Sequence, residues 1–182
     1  MKKTSLTLFI IAFAFNVTKA QIYMAKECTI SFFSATSMED IDAKNTAAKP
    51  VLNAATGDIQ VKISHRAFKF KDGLMEEHFN ENFVETQKYP NAIFKGKINE
   101  KVDYTKNGEN KVTVTGEMDL HNVKKTITID GKVTIKDGVV SIYSKFNIKL
   151  SDYNIKDPSL IGKSIAEAID VTITSTLEPY KK

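Results

Sequence analysis

Along most of the stretch from Cys28 to Leu177, apolar side chains recur at every second position, the period that places alternate residues on one face of a β-sheet. Cys28, Ile30 and Phe32 share one phase, Ile59, Val61 and Ile63 another, and Ala92, Phe94, Gly96 and Ile98 a third. Val112, Val114, Gly116, Met118 and Leu120 follow, with Thr113, Thr115, Glu117 and Asp119 facing the other way. Odd positions of 123–135 read Val, Lys, Ile, Ile, Gly, Val, Ile, and even positions of 140–150 read Val, Ile, Ser, Phe, Ile, Leu. Ile169, Val171, Ile173, Ser175 and Leu177 close the series, so at least seven strands are predicted.

Two Asp-Gly pairs test this reading, because Asp-Gly is a strong hairpin signal. Across Asp137-Gly138 the apolar phase switches from odd (Ile135) to even (Val140), as a two-residue turn requires. Across Asp130-Gly131 the phase runs on from Ile129 to Val133, so that pair is predicted to lie inside a strand. His121-Asn122 and Asn107-Gly108 are read as further turns between antiparallel neighbours. Strands of ten or more residues with one apolar face and few helices to cover them are best satisfied by closing the sheet on itself, which also removes exposed edges. The expected fold is mainly β, an antiparallel up-and-down, lipocalin-like β-barrel with one or two short helices.

Helical pattern is scarce. Leu74, Met75, His78, Phe79 and Phe83 predict a short amphipathic helix over Leu74–Val84, ending before Tyr89-Pro90. Ser37-Met38-Glu39-Asp40 reads as the start of a turn or two reaching towards Lys49-Pro50, and Asp157-Pro158 to Ala168 as an irregular or helical stretch.

The inward phase carries Phe94, Ile98, Val114, Met118, Ile127 and Ile129, then Ile142, Phe146 and Ile148, and Phe68 and Phe70 join them from the segment after His65-Arg66. These are the candidate ligand-binding residues of the lumen. Gly96, Gly116, Gly131 and Ser144 sit mid-strand on the same faces. They either let the sheet coil at barrel corners or leave volume for a ligand. A lumen lined this way favours a hydrocarbon guest by about 0.8 kcal/mol per buried methylene.

The N-terminus changes the picture of charge and location. Met1-Lys2-Lys3 is a positive start, Leu6–Phe15 an apolar run, and Thr18 and Ala20 are the small residues of a cleavage site. Ten residues of helix reach about 15 Å, half of a roughly 30 Å hydrocarbon core, so this segment reads as a signal peptide (1–20) and the rest (21–182) as one exported, periplasmic domain. Loss of Lys2, Lys3 and Lys19 takes the 26 basic residues to 23 against 22 acidic ones, a near-neutral balance that leaves no broad footprint for nucleic acid. Cys28 is the single cysteine. It can form no intrachain disulfide and is expected to pack as a half-buried strand residue.

Candidate chemistry is sparse: no Gly-rich phosphate loop, G-x-S-x-G elbow, CxxC or HExxH occurs. Glu77, His78 and Glu81 form the densest cluster, one helical turn apart, and could be drawn as an acid–base or metal site. With no recognisable third ligand, His78 is expected instead to hydrogen-bond the helix to the barrel rim. His65-Arg66 falls where the phase breaks between Ile63 and Phe68 and is either a solvated bulge or a polar contact for a ligand head group. Lys145 and Lys149 are read as a solvated outer face.

Met75-Glu76-Glu77-His78-Phe79-Asn80, Phe83-Val84-Glu85 and Lys88-Tyr89-Pro90-Asn91-Ala92-Ile93-Phe94-Lys95-Gly96 resemble the acidic-His-apolar segment and Tyr-Pro-x-x-x-Phe strand start of the YceI-like family. The run Thr115–Lys125 is similar to its strand-turn-strand segment, and Leu150-Ser151-Asp152-Tyr153 with the strand around Ile173 to its C-terminal portion. The resemblance implies an exported, non-enzymatic, lipocalin-like barrel holding a polyisoprenoid or other long amphiphile. The expected function is therefore carriage, storage or sequestration of an isoprenoid lipid such as a quinone or polyprenyl chain, with no catalytic residue, metal or cofactor. Transient membrane contact and a homodimer remain open. The alternatives are an enzyme acting on an apolar substrate through Glu77, His78 and Glu81, and a filled barrel acting through its outer surface. N-terminal sequencing after expression in a secreting host is expected to begin at Gln21; a mature chain that keeps Met1 would overturn the signal-peptide assignment.

Overall fold

The computed structural model describes residues 21–34, 40–156 and 168–180. Residues 1–20, where a signal peptide is expected, lie outside the described residues, as do 35–39, which hold most of the expected Ser37–Asp40 turn start, and the stretch 157–167. Among the described residues ten strands follow one another: β1 Ile22–Ser34, β2 Ile41–Asn45, β3 Val51–Asn53, β4 Asp58–Ser64, β5 Phe68–Phe70, β6 Asn91–Ile98, β7 Gly108–Leu120, β8 Val123–Lys136, β9 Val139–Lys149 and β10 Ala168–Pro179. Between β5 and β6 lies one helix, α1, Gly73–His78, continued by a π-helical turn over Phe79–Phe83. All pairings are antiparallel, each strand but β5 pairs with a neighbour in sequence, and β10 pairs back onto β1 from Tyr23↔Pro179 to Phe33↔Asp170, closing an up-and-down barrel.

The barrel has eight staves, because two of them are broken. β1 pairs with β3 near its start (Ile22↔Asn53) and with β2 near its end (Ser34↔Ile41), so β2 and β3 form one interrupted stave. In between, the Ala25 N–H donates to the Pro50 carbonyl at 2.9 Å, beside a bulge at Ala25/Glu27. That bulge moves the inward phase of β1 from odd (Tyr23, Ala25) to even (Cys28, Ile30, Phe32). β4 and β5 make the second broken stave, split by a 3-10 turn at His65–Ala67. β4 runs beside β6, but β5 pairs only with β2 among the described strands. Its other edge meets α1, where the Phe70 N–H donates to Glu76 Oε2 at 3.4 Å and Lys69 Nζ lies 2.6 Å from Glu76 Oε1.

The turns follow their chemistry. His121 and Asn122 (φ 52° and 60°) and Asp137 and Gly138 (φ 51° and 80°) have the left-handed backbone that matches strand twist in two-residue hairpins. Asp130-Gly131 lies inside β8, as its phase predicts. Asn107-Gly108 is not itself the turn: Gly108 opens β7, and Asn107 leaves the 99–107 loop to exchange hydrogen bonds with Asp137 at 2.9 and 3.1 Å. The expected helical turn after Asp40 is also corrected, since that segment is β2. Its inward positions are Ile41, Ala43 and Asn45, and the polar Asn45 hides the alternation. Asn45 is nevertheless fully buried, donating to the Ser64 carbonyl at 2.8 Å and accepting from the Ala47 N–H at 2.9 Å. Cys28 is buried rather than half-buried.

The two ends of the barrel are packed differently. Around Tyr23, Leu52, Val133, Ile135, Val140 and Leu177 the lumen is solid, with exposures of 2% or less. At the other end a ring cluster ties α1 to the sheet: Phe79 stacks on Phe32 at 5.5 Å and tilts against Phe70 at 5.1 Å, with Phe68 5.6 Å away. Asp72 caps α1 by accepting from the Leu74 N–H at 2.8 Å, satisfying one orphan donor of the first turn.

Gly96 and Gly116 face each other across β6 and β7. A Cβ on Gly96 would sit 2.6 Å from Phe94 Cζ, so the Phe94 ring already fills that space. A Cβ on Gly116 would run into Gly96 Cα and the Lys95 carbonyl oxygen, which are backbone and cannot rotate away. Gly116→Ala is expected to destabilise the fold by about 1–3 kcal/mol, the range for overpacking, seen as a lower urea midpoint. An unchanged midpoint would refute this close-approach role.

Candidate functional site

A cavity of about 120 Å³ occupies the helix end of the lumen. Its wall comes from β1 (Ile30, Phe32), β4 (Val61, Ile63), β6 (Ala92, Phe94) and β7 (Met118, Leu120), and from the end of β9 (Phe146, Ile148) and the start of β10 (Ile169, Val171). Met75, Phe79 and Phe83 close it from the helix and its π-helical turn. Of the 25 described residues that line it, Ser34 and His65 are the polar ones, and none carries a fixed charge. Such a wall has nothing to offer a buried ion and much to offer a hydrocarbon, because burying an unpaired charge is far costlier than burying a methylene is favourable.

Seven of the predicted lumen residues line this cavity: Phe68, Phe70, Phe94, Met118, Ile129, Phe146 and Ile148. Ile98, Val114, Ile127 and Ile142 do not. Ile98 is buried in the core beyond the cavity, and the other three pack against that core partly exposed. The inward phase is thus right for all four, but phase alone carries no information about position along the barrel axis. Gly96, Gly116, Gly131 and Ser144 are also absent from the lining, so the cavity does not arise from their missing side chains. Ile30, Phe32, Ile63 and Val171 belong to recognised strands and line the cavity without having been singled out. Met75, Phe79 and Phe83 come from the predicted helix, whose apolar spacing was the available signal.

The wall is incomplete at one seam. β8 and β9 pair only from Gly131↔Ser144 to Lys136↔Val139. Beyond that point they diverge, while β7 stays paired with β8 to Leu120↔Val123 and β10 stays with β9 to Ala168↔Lys149. Ser144 Oγ, at the fork, donates to the Asp130 carbonyl at 2.6 Å. Ile129, Phe146 and Ile148 border both the cavity and an outer groove along the seam, where Lys125, Lys145, Lys149 and Asp152 form the rim. Lys145 and Lys149 are exposed, and Lys145 pairs with Asp170 at 3.0 Å.

Glu77 and Glu81 are exposed, and neither they nor His78 line the cavity. Among the described residues, no three of His, Cys, Asp and Glu gather in a way that could hold a metal. The histidines that tie elements together are His65 and His121, not His78. His121 Nδ1 lies 3.1 Å from the Tyr153 carbonyl and its Nε2 3.2 Å from Glu85 Oε2, with the ring 4.3 Å from Tyr89.

His65 is no solvated bulge. It is 2% exposed, with its N–H donating to the Pro90 carbonyl at 3.0 Å and Nδ1 2.7 Å from the Tyr89 carbonyl. Burial lowers its pKa below the ordinary 6.5, outweighing the Tyr89 hydrogen bond. Neighbouring Arg66 is exposed.

A family model described as "YceI-like domain" matches residues 12–177. No curated protein matches the chain. Among solved structures, a polyisoprenoid binding domain from Saccharophagus degradans implicated in plant cell wall breakdown superposes with a TM-score of 0.75 at 16% identity, covering 89% of this chain and 100% of that one. BcnA of Burkholderia cenocepacia gives 0.67 at 18% identity, covering 82% and 95%, and the Campylobacter jejuni YceI protein 0.56 at 17%, covering 100% of both. At these identities the superpositions establish the shared barrel.

The His65 ring supplies a direct check on the site. In an NMR titration its midpoint is expected below 6.5. Because the native state resists a proton that the unfolded chain accepts, His65 contributes stability that is complete above about pH 6.5 and is lost as pH falls towards the lowered native pKa. A midpoint at or above 6.5 would show that the ring is solvated.

Proposed function

The chain belongs to the YceI-like domain family, and from that premise we propose that it is a non-enzymatic binding protein for a long apolar lipid of the isoprenoid type, held in the helix end of the barrel. The observation that carries this reading is the cavity: apolar but for Ser34 and His65, without a fixed charge among its described lining residues, closed by an apolar helix face and bordered by an open seam in the wall. The polyisoprenoid-binding description of the Saccharophagus degradans domain supports the same ligand class. The reading extends to export into the periplasm, where a carrier with a hidden hydrocarbon site would move or sequester lipid across water. The seam between β8 and β9 is the assigned route of exchange, since a chain sliding between two unpaired strand segments need not break a ladder of hydrogen bonds.

Catalysis through Glu77, His78 and Glu81 is disfavoured by their place outside the cavity wall. A barrel filled throughout is disfavoured by the cavity at its helix end.

Native mass spectrometry of freshly purified protein is expected to show a co-purifying lipid, and the delipidated protein to take up a prenyl chain. Ala92, 6% exposed, lines the cavity, so Ala92→Phe fills part of it. That variant is expected to lose prenyl-chain affinity by about tenfold or more while keeping a β-rich circular dichroism spectrum. Absence of both bound lipid and uptake would overturn the proposal.

A further inference from the structure

Within the cavity wall one polar atom stands without a partner. Two buried side-chain atoms among the described residues have no hydrogen-bond partner, His65 Nε2 and Tyr104 Oη. Tyr104 does not line the cavity; its ring sits 5.9 Å from Tyr23 in the solid end of the barrel. His65 does line it, with its ring edge-on to Phe79 at 6.3 Å. The other polar lining residue, Ser34, already has a partner within the protein.

The tautomer of His65 follows from its neighbours. A carbonyl oxygen can only accept, so the contact of 2.7 Å to Tyr89 places the ring proton on Nδ1. In a neutral ring Nε2 then carries a lone pair and is an acceptor. Burial favours that neutral form. A buried acceptor left unpaired is unfavourable, and a ligand that donates to it removes the penalty.

Resting on the lipid-binding reading, we infer that His65 Nε2 is the head-group contact of the cavity and that it selects lipids whose polar end is an uncharged hydrogen-bond donor, such as a prenyl alcohol. A head group with acceptors alone would place lone pair against lone pair. A phosphate would meet no cation among the described residues of the wall to pair it. His65 is held for this task from two sides, its backbone by Pro90 and its ring by Tyr89. The 3-10 turn that breaks β4 from β5 lets it leave the strand register.

The test uses the delipidated wild-type protein and two probes of the same chain length, farnesol and farnesyl methyl ether, which differ in the donor proton. Farnesol is expected to bind about fivefold more tightly, the worth of one net hydrogen bond. His65→Phe, close in volume, is expected to bind the two probes equally. In ¹⁵N-labelled wild-type protein, farnesol should shift the Nε2 resonance of His65 and the ether should not, a readout that stands even where the variant fails to fold. Equal affinities in the wild type, a preference that survives His65→Phe, or an Nε2 resonance indifferent to farnesol would each overturn the assignment while leaving the lipid site in place. Failure of both probes to bind would overturn the lipid reading and this inference with it.

Discussion

Closure of β10 onto β1 is the interaction on which the rest of this structure depends. Ten residue pairs from Tyr23↔Pro179 to Phe33↔Asp170 convert a meander with one oily face into a tube with an oily interior. Without that ladder the inward residues of eight staves would face solvent, and two strand edges would be open to other chains. With it, each inward side chain is surrounded by others whatever its own size, so the distribution of large residues along the barrel axis decides where the tube is solid. Tyr23, Leu52, Ile135, Val140 and Leu177 make one end solid. Among the described residues no comparable set fills the other end, and α1 closes it from outside the sheet.

The irregularities of the wall collect at that hollow end. β5 leaves β6, which makes room for α1 and turns the 3-10 residue His65 inwards. β8 leaves β9 beyond Gly131↔Ser144, which opens the seam. Breaks of this kind cost backbone hydrogen bonds, and a sheet built for stability alone would have continued the ladders that β7 and β10 keep on either side. The same segments bring the cavity, its cover and its seam together.

Much of this was legible from residue order. Period-two alternation revealed every long strand, and the phase switch at Asp137-Gly138, against the continuity at Asp130-Gly131, separated a hairpin from a strand interior. The helix was visible in the spacing of Leu74, Met75, Phe79 and Phe83. The short strands were not, because three to five residues hold too few alternations, and in β2 one inward position is Asn45, whose burial depends on partners distant in sequence. The bulge at Ala25/Glu27 likewise reversed the phase of β1 before any run had been established. Alternation also reads which face a residue is on but not how far along the axis it sits, which is why Ile98 and Val114 shared a phase with Phe94 and Met118 without sharing their cavity. His65 was visible as a break in phase; its burial was not, since that follows from the carbonyls of Tyr89 and Pro90, over twenty residues away.

The cavity also enters the energetics of the fold. Unfilled volume costs about 24 cal/mol per Å³ in well-packed proteins, so 120 Å³ corresponds to about 3 kcal/mol of forgone packing. That is a sizeable part of the stability of an ordinary domain, and the chain has no disulfide to offset it. The solid end supplies what the hollow end lacks: a continuous core of fully buried side chains that closes the barrel independently of its contents. A guest that fills the void regains part of the forgone contact energy and binds the folded state alone, so occupancy and stability are thermodynamically linked. Gly96 and Gly116 belong to the solid logic, bringing β6 and β7 into close approach under the Phe94 ring, whereas the void arises where the staves part. Along one barrel axis a single small domain thus carries both a solid core and a void.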